Sequence, residues 1–185
     1  MIKDILEDAK ARMEGAISAL KKDLAAFRTG RASTALLDGV LVEYYGSRLP
    51  VNQVATLSTP EARLIVIQPW DKNAIEPIEK AISAANLGVT PQNDGSVIRL
   101  ALPPLTEERR KELVKQVKKK GEDAKIAIRN VRRDARELLE GLQKEGEASE
   151  DEVKRAQEEL QRITNSFTET VDQIGKGKEE EILNF

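Results

Sequence analysis

The stretch from Thr106 to Leu142 constrains this chain more than any other. Read in sevens, Val114, Gly121, Ile128, Ala135 and Leu142 share one register, and Val117, Ala124, Val131 and Leu138 share a second. The two registers alternate three and four residues apart, which is the a/d seam of a long packed helix. Cations avoid that seam. Lys115, Arg129 and Arg136 take b positions, Lys118, Lys125 and Arg132 take e, and Lys119 and Arg133 take f. Only Glu122, Ile126, Leu139, Glu140 and Gln143 interrupt those columns. From Lys115 to Arg136 a helix climbs roughly 32 Å at about 1.5 Å per residue. The pattern predicts a rigid rod with a basic stripe, along which an anion can lie.

Composition narrows what the rod belongs to. The chain has 185 residues, enough for one domain or two small ones with a real core. It has no cysteine, which excludes disulfides and thiolate metal sites and suits a reducing compartment. It has no histidine, the commonest metal ligand and the usual general base near neutral pH. Charged residues make up 34% of the chain and aromatics 3%, a profile of long solvated helices rather than a compact enzyme core. Apolar runs are too short to span a bilayer, and helical periodicity starts at Met1. A cytoplasmic protein without membrane contact is expected. The net charge of −2 hides a strong asymmetry. Residues 105–136 hold 12 Lys/Arg against 6 Asp/Glu, whereas residues 137–185 hold 6 against 14.

Residues 2–29 predict a first helix, with Ile2, Leu6, Ala9, Met13, Ala16, Leu20 and Phe27 on the seam. Ile5, Ile17 and Leu24 widen that stripe, Asp23 weakens one layer, and Gly30 ends the run. The period then changes. Val40–Tyr45, Arg63–Gln68 and Val97–Leu102 read as strands, with a turn at Gly46-Ser47-Arg48 before a further strand over Val51–Leu57. A short helix between Pro69 and Gly88 shows Ile75, Ile78, Ile82 and Ala85 on one face, tolerates Pro77 in its first turn and stops at Gly88. Asn93-Asp94-Gly95-Ser96 is a turn before the last strand. Pro103 and Pro104 end that strand, and Thr106 is placed to cap the long helix. Ser149 and Glu152 form a capping box for a final helix along Val153, Ala156, Leu160, Ile163, Phe167, Val171 and Ile174. Gly175 and Gly177 predict fraying near its end.

Three such helices satisfy one another in a bundle, with Gly121, Ala124 and Ala135 allowing close approach. The expected fold class is α+β: an elongated three-helix bundle of residues 1–30 and 105–185, with a small β/α/β domain of residues 31–104 inserted. Two chain crossings, near Gly30–Ser33 and at Leu102–Leu105, make a two-stranded hinge rather than a free tether.

Charged helical faces are usually only solvated. Here the cations are one-signed within their columns, and Asp123, Asp134 and Glu137 keep to the flanks. Arginine dominates at Arg129, Arg132, Arg133 and Arg136, and its planar fork suits phosphate. Binding to a nucleic-acid backbone, weakened by salt, is the favoured reading. Arg28 and Arg31 bracket Gly30, where the dipole of a helix end also favours cations. They gain weight as part of the same site if the first helix lies beside the stripe. Tyr44 and Tyr45, adjacent in a strand, are expected on opposite faces, one in the core. No aromatic and basic interleaving supports base stacking, so recognition by backbone and shape is expected. No phosphate loop or catalytic constellation is present, so no enzyme activity, metal or cofactor is expected.

The chain resembles the ribosome recycling factor family over essentially its whole length. The segments that match are Arg28-Thr-Gly-Arg-Ala-Ser33, Leu37-Asp-Gly39, Glu43-Tyr-Tyr-Gly46, Pro103-Pro-Leu-Thr-Glu-Glu-Arg-Arg-Lys111 and Val131-Arg-Arg-Asp-Ala135. The resemblance implies a bacterial translation factor that, with elongation factor G and GTP hydrolysed on that partner, splits post-termination ribosomes into subunits. It implies a bundle lying on large-subunit ribosomal RNA and a second domain meeting the elongation factor. By motif it assigns RNA contact to Arg28, Arg31, Arg129, Arg132 and Arg133, to which the stripe adds Lys125 and Arg136. It assigns the hinge to Arg31, Ala32, Pro103, Pro104 and Leu105. Organellar members carry an N-terminal extension, so this chain reads as a bacterial cytoplasmic form, expected as a monomer. A generic RNA-binding or RNA-chaperone helical protein, and a self-associating coiled coil, are the competing readings.

Overall fold

The computed structural model describes residues 1–184; Phe185, the last residue of the expected bundle segment, lies outside the described residues. Among the described residues the helices are α1 (Ile2–Ala25), α2 (Ile75–Ala84), α3 (Glu107–Lys144) and α4 (Glu150–Leu183). The strands are β1 (Leu41–Tyr44), β2 (Ser47–Pro50), β3 (Ala55–Glu61), β4 (Leu64–Pro69), β5 (Pro91–Asn93) and β6 (Ile98–Ala101). The chain folds into two compact units, one of Met1–Arg28 with Glu107–Asn184 and one of Thr29–Thr106. The fold class is α+β.

In the helical unit, α1, α3 and α4 pack on one another along a shared core. Val117, Ala124 and Val131, and Ile128, Ala135 and Leu142, are buried seven apart as expected, but over the full length of α3 the core follows a longer period. Leu113, Ala124 and Ala135 are buried eleven residues apart, as are Val117, Ile128 and Leu139, and Val131 and Leu142. The same step relates Ala9 to Leu20 and Met13 to Leu24 in α1, and Leu160, Val171 and Ile182 in α4. An eleven-residue repeat is about 3.67 residues per turn, so these helices keep their seams together without the left-handed supercoil that sevens require.

Several expected positions shift as a result. Leu138, placed on the seam by sevens, is 56% exposed, while Leu139, placed on a polar column, is fully buried. Leu113 replaces Val114, and in α1 the expected Ile17 and Leu24 are buried while Ala16 and Phe27 are only partly so. Asp23 is exposed and pairs with Lys120 at 3.8 Å, so it weakens no layer. Gly121 is not required by close approach either, because a Cβ there would meet Val171 Cγ1 at an ordinary 3.8 Å.

Helix ends follow capping chemistry. Ser149 Oγ accepts from the Glu152 N–H at 3.1 Å, which satisfies one orphan donor of α4. The fraying expected at Gly175 and Gly177 does not occur, and α4 runs unbroken to Leu183. Ile182 is fully buried there, and the Arg110 guanidinium donates to the Ile182 and Leu183 carbonyls at 2.8 and 3.0 Å. Those carbonyls have no partner within their own helix, so Arg110 closes it. α1 stops at Ala25, short of the expected residue 29.

The inserted unit is richer in strands than a β/α/β module. β1 and β2 form a separate hairpin, and an antiparallel sheet runs in the order β3-β4-β6-β5. Ile65 and Ile67 of β4 and Ile98 and Leu100 of β6 alternate into a core closed by Ile78 and Ile82 of α2. The first turn is Tyr45-Gly46, with φ of 49° and 78°, not Gly46-Ser47-Arg48. Ser47 and Arg48 belong to β2, and Val51–Gln53 forms a single 3-10 turn where a strand was expected. Asn86, with φ of 50°, ends α2 before Gly88 is reached. The Asn93–Ser96 turn is present. Asp94 accepts from the Ser96 and Val97 amides and from Arg99, which holds its carboxyl well below the usual carboxylate range.

The two connectors meet within this unit. The Ala32 amide donates to the Ala62 carbonyl at 2.7 Å, and the Leu102 amide to the Arg63 carbonyl at 2.8 Å. Both are therefore pinned to the β3–β4 turn. Gly30 has φ of 84°, and a Cβ there would stand 3.3 Å from Leu105 Cγ.

Candidate nucleic-acid interface

The eleven-residue register fixes where the cations point. α4 lies on one flank of α3, shown by the Lys125–Asp172 ion pair and by Val171 opposite Gly121. α1 lies on the other flank, shown by Arg12–Asp134 at 3.2 Å and Lys120–Asp23 at 3.8 Å. At about 100° per residue, Lys118, Lys125, Arg129, Arg132 and Arg136 fall on the α4 side, with Lys115 and Arg133 at its outer edge. The stripe expected from sequence is a real face, and it belongs to the α3–α4 side of the unit.

Most of its arginines have weak local partners. Arg129 reaches Glu122 at 3.0 Å, Arg136 reaches Glu140 at 3.2 Å, and Arg133 lies 3.9 Å from Asp134. These side chains are exposed, and such pairs contribute about 0–1 kcal/mol. A phosphate can displace them. Arg132 differs. It is half-buried and makes no hydrogen bond or ion pair among the described residues. An arginine with no ion pair to give up can take a phosphate without first breaking a contact.

The structure does not gather all the expected contacts. The Arg12–Asp134 pair sets the arginine cluster level with the first half of α1. Arg28 follows the end of that helix, and α1 climbs about 20 Å between Arg12 and Ala25 at about 1.5 Å per residue. The Asp23–Lys120 pair sets the end of α1 level with the lysine end of the stripe, so Arg28 lies toward residues 115–119 and not beside the arginine cluster. Arg31 belongs to the other unit. Lys115, Lys118 and Lys119 are exposed cations further down α3.

Tyr44 packs against the core of its unit, as expected for one of the pair, but the placing of Tyr45 in the strand fails, and the sequence reading passed over Trp70. Tyr45 is not in the strand; its positive φ swings it back so that its ring meets that of Tyr44 edge-on at 4.4 Å. Tyr45 and Trp70 are 76% and 65% exposed. Tyr44 donates to Asp71 at 2.6 Å, which pushes the phenol up to about 12 and holds the Asp71 carboxyl low. Trp70 Nε1 donates to Thr56 Oγ1 at 2.8 Å. No cluster of carboxylates able to hold a metal occurs among the described residues, and no described helix is long and apolar enough to cross a membrane.

Comparison with known proteins agrees with this layout. The family model described as ribosome recycling factor matches residues 20–183. The chain belongs to the ribosome recycling factor family. A ribosome-recycling factor from Carboxydothermus hydrogenoformans is 59% identical over 184 residues, covering 100% of both chains. One from Halalkalibacterium halodurans is 53% identical over 183 residues, covering 99% of each. A solution structure of the ribosome recycling factor matches with a TM-score of 0.73 at 45% identity, over 100% of this chain and 98% of that one. A second similar chain is the T. thermophilus ribosome recycling factor, placed with E. coli elongation factor G on the E. coli post-termination complex. Its TM-score is 0.61 at 46% identity, with 99% of each chain covered. Ribosome recycling factors are translation factors.

Proposed function

We propose that the helical unit docks on large-subunit ribosomal RNA through Arg132 and its neighbours. The unit of residues 31–104 is then a lever pushed by elongation factor G. GTP hydrolysis on that partner drives the lever, and post-termination ribosomes separate into subunits. The observation that carries this reading is the cationic face of α3, on a chain that spans ribosome recycling factors from end to end. The chain itself performs no catalysis; it works as a cytoplasmic monomer, a grip and a lever.

Each part has a physical basis. α3 has 38 residues and a core that runs its length, so the grip is stiff enough to bear a push. Arg129, Arg133 and Arg136 exchange weak, exposed ion pairs for phosphates, Lys125 stays close to Asp172 and adds to the field, and Arg132 has no ion pair to give up. Arg28 and Arg31 act as further RNA contacts near the connectors. Arg31, Ala32, Pro103, Pro104 and Leu105 form the hinge. Two prolines and two backbone hydrogen bonds to one turn leave it few backbone angles.

Light scattering of post-termination ribosomes, with elongation factor G and GTP present, tests the reading. Adding the protein should accelerate subunit separation, and omission of the GTPase should abolish the acceleration. If separation is no faster with the protein, the recycling reading is wrong and general RNA binding is what remains. Sedimentation at 20.5 kDa checks the monomer.

A further inference from the structure

The cations of α3 form only one side of a groove; the other side is α4. The two helices run antiparallel, since Arg110 near the start of α3 holds the last carbonyls of α4. Lys125 and Asp172 pair, so they are level. Seven residues onward from Lys125 is Arg132, and seven back from Asp172 is Asn165. Eleven residues in each direction give Arg136 and Gln161. Steps of seven and eleven return to nearly the same helix face. Each arginine is therefore level with an amide across the groove.

On the α4 side of this groove two amides lie level with Arg132 and Arg136, between the carboxylates of Asp172 and Glu158. Gln157, Gln161, Asn165 and Thr168 follow one another along that flank, on a helix otherwise crowded with carboxylates. Gln161 and Asn165 are exposed, and Gln161 Nε2 donates to Asn165 Oδ1 at 2.8 Å, which aligns the two amides as a row. A carboxylate here would repel a polyanion. A cation would add only another phosphate contact. An amide offers a donor and an acceptor together, so it can use both toward a hydroxyl, whereas a phosphate can only accept from it.

We propose that Gln161 and Asn165 form the second wall of the RNA site and hydrogen-bond ribose 2′-hydroxyls. The proposal rests on the reading that the arginine face docks on RNA, and it deepens that reading by assigning sugar recognition to α4. Arginines supply affinity for any polyanion, while the 2′-hydroxyl is what separates RNA from DNA.

The test uses the full chain with a short RNA duplex and a DNA duplex of the same sequence, titrated over a range of salt. The wild-type chain should bind RNA more tightly than DNA. Gln161→Ala with Asn165→Ala should narrow that ratio roughly five-fold, from the loss of hydrogen bonds worth about 0.5–1.5 kcal/mol each. It should leave the salt slope unchanged, since no charge is removed. Arg132→Ala should weaken both duplexes, lower the slope by about one and keep the ratio. An unchanged ratio in the amide variant overturns the second wall. Arg132→Ala without effect on either duplex overturns the docking reading itself, and the wall with it. Both amides are exposed, so the variant folds, and its helix content by circular dichroism should match wild type.

Discussion

Two cations on one helix face need not be equivalent. Arg132 is half-buried with its donors unused among the described residues, whereas Lys115 is an exposed, flexible ammonium. Immobilising a free side chain costs about 0.5–1.5 kcal/mol, and a half-buried side chain has less freedom to lose than an exposed one. Arg132→Ala is therefore expected to weaken large-subunit binding several-fold more than Lys115→Ala at fixed salt, measured by ribosome pelleting. Equal losses would mean a diffuse field instead of a site. Tyr44 offers a second check at this scale. Folding raises its phenol through the bond to ionised Asp71, so that bond contributes fully from about pH 4 to about pH 10, is lost as pH rises through about 12, and is lost at acid pH as Asp71 protonates. In a Tyr45→Phe chain, which leaves one tyrosine, phenolate absorbance should rise near pH 12 while folded. Asp71→Asn should bring the midpoint down toward 10; an unchanged midpoint would contradict the assignment. The tyrosine geometry was not legible beforehand, because strand alternation fails where a non-glycine residue takes a positive φ in a tight turn.

The helices and the Ser149 cap could be read from sequence because apolar spacing and a capping serine are local signals, whereas the stops, expected at Gly30 and Gly88, could not. Nor could the register. Sevens and elevens place the same residues within a fraction of a turn over two turns, and they part only over a helix as long as α3. Leu138 and Leu139 decide between them. Leu139→Ala should cost about 2–5 kcal/mol, as for a fully buried leucine, and Leu138→Ala at most about 0.5. Urea unfolding of the two variants measures this, and the reverse order would restore the seven-residue seam. Gly121 gives an independent reading of the same interface. With ordinary room for a methyl group, Gly121→Ala should stabilise by about 0.5–1 kcal/mol through helix propensity. A loss of stability would mean that α3 and α4 do approach too closely there. Small strands such as β5 escaped notice because three residues carry too little periodicity to register.

At the scale of the molecule the proposal separates two tasks, grip in the helical unit and leverage through the connectors. The division into two units was legible from the change of period at Ala32 and the prolines at 103 and 104. The pinning of both connectors to the Ala62–Arg63 turn was not, since it rests on backbone bonds that no side-chain pattern encodes. The measurement that tests this separation most directly is the rate of ribosome splitting against concentration of the protein, with elongation factor G and GTP in excess. Arg132→Ala should raise the concentration for half-maximal rate and leave the maximum intact. Gly30→Ala, which forces an alanine into φ of 84° beside Leu105, should lower the maximum and leave the half-maximal concentration unchanged. If both variants alter the same parameter, grip and lever are not separate and the account is contradicted.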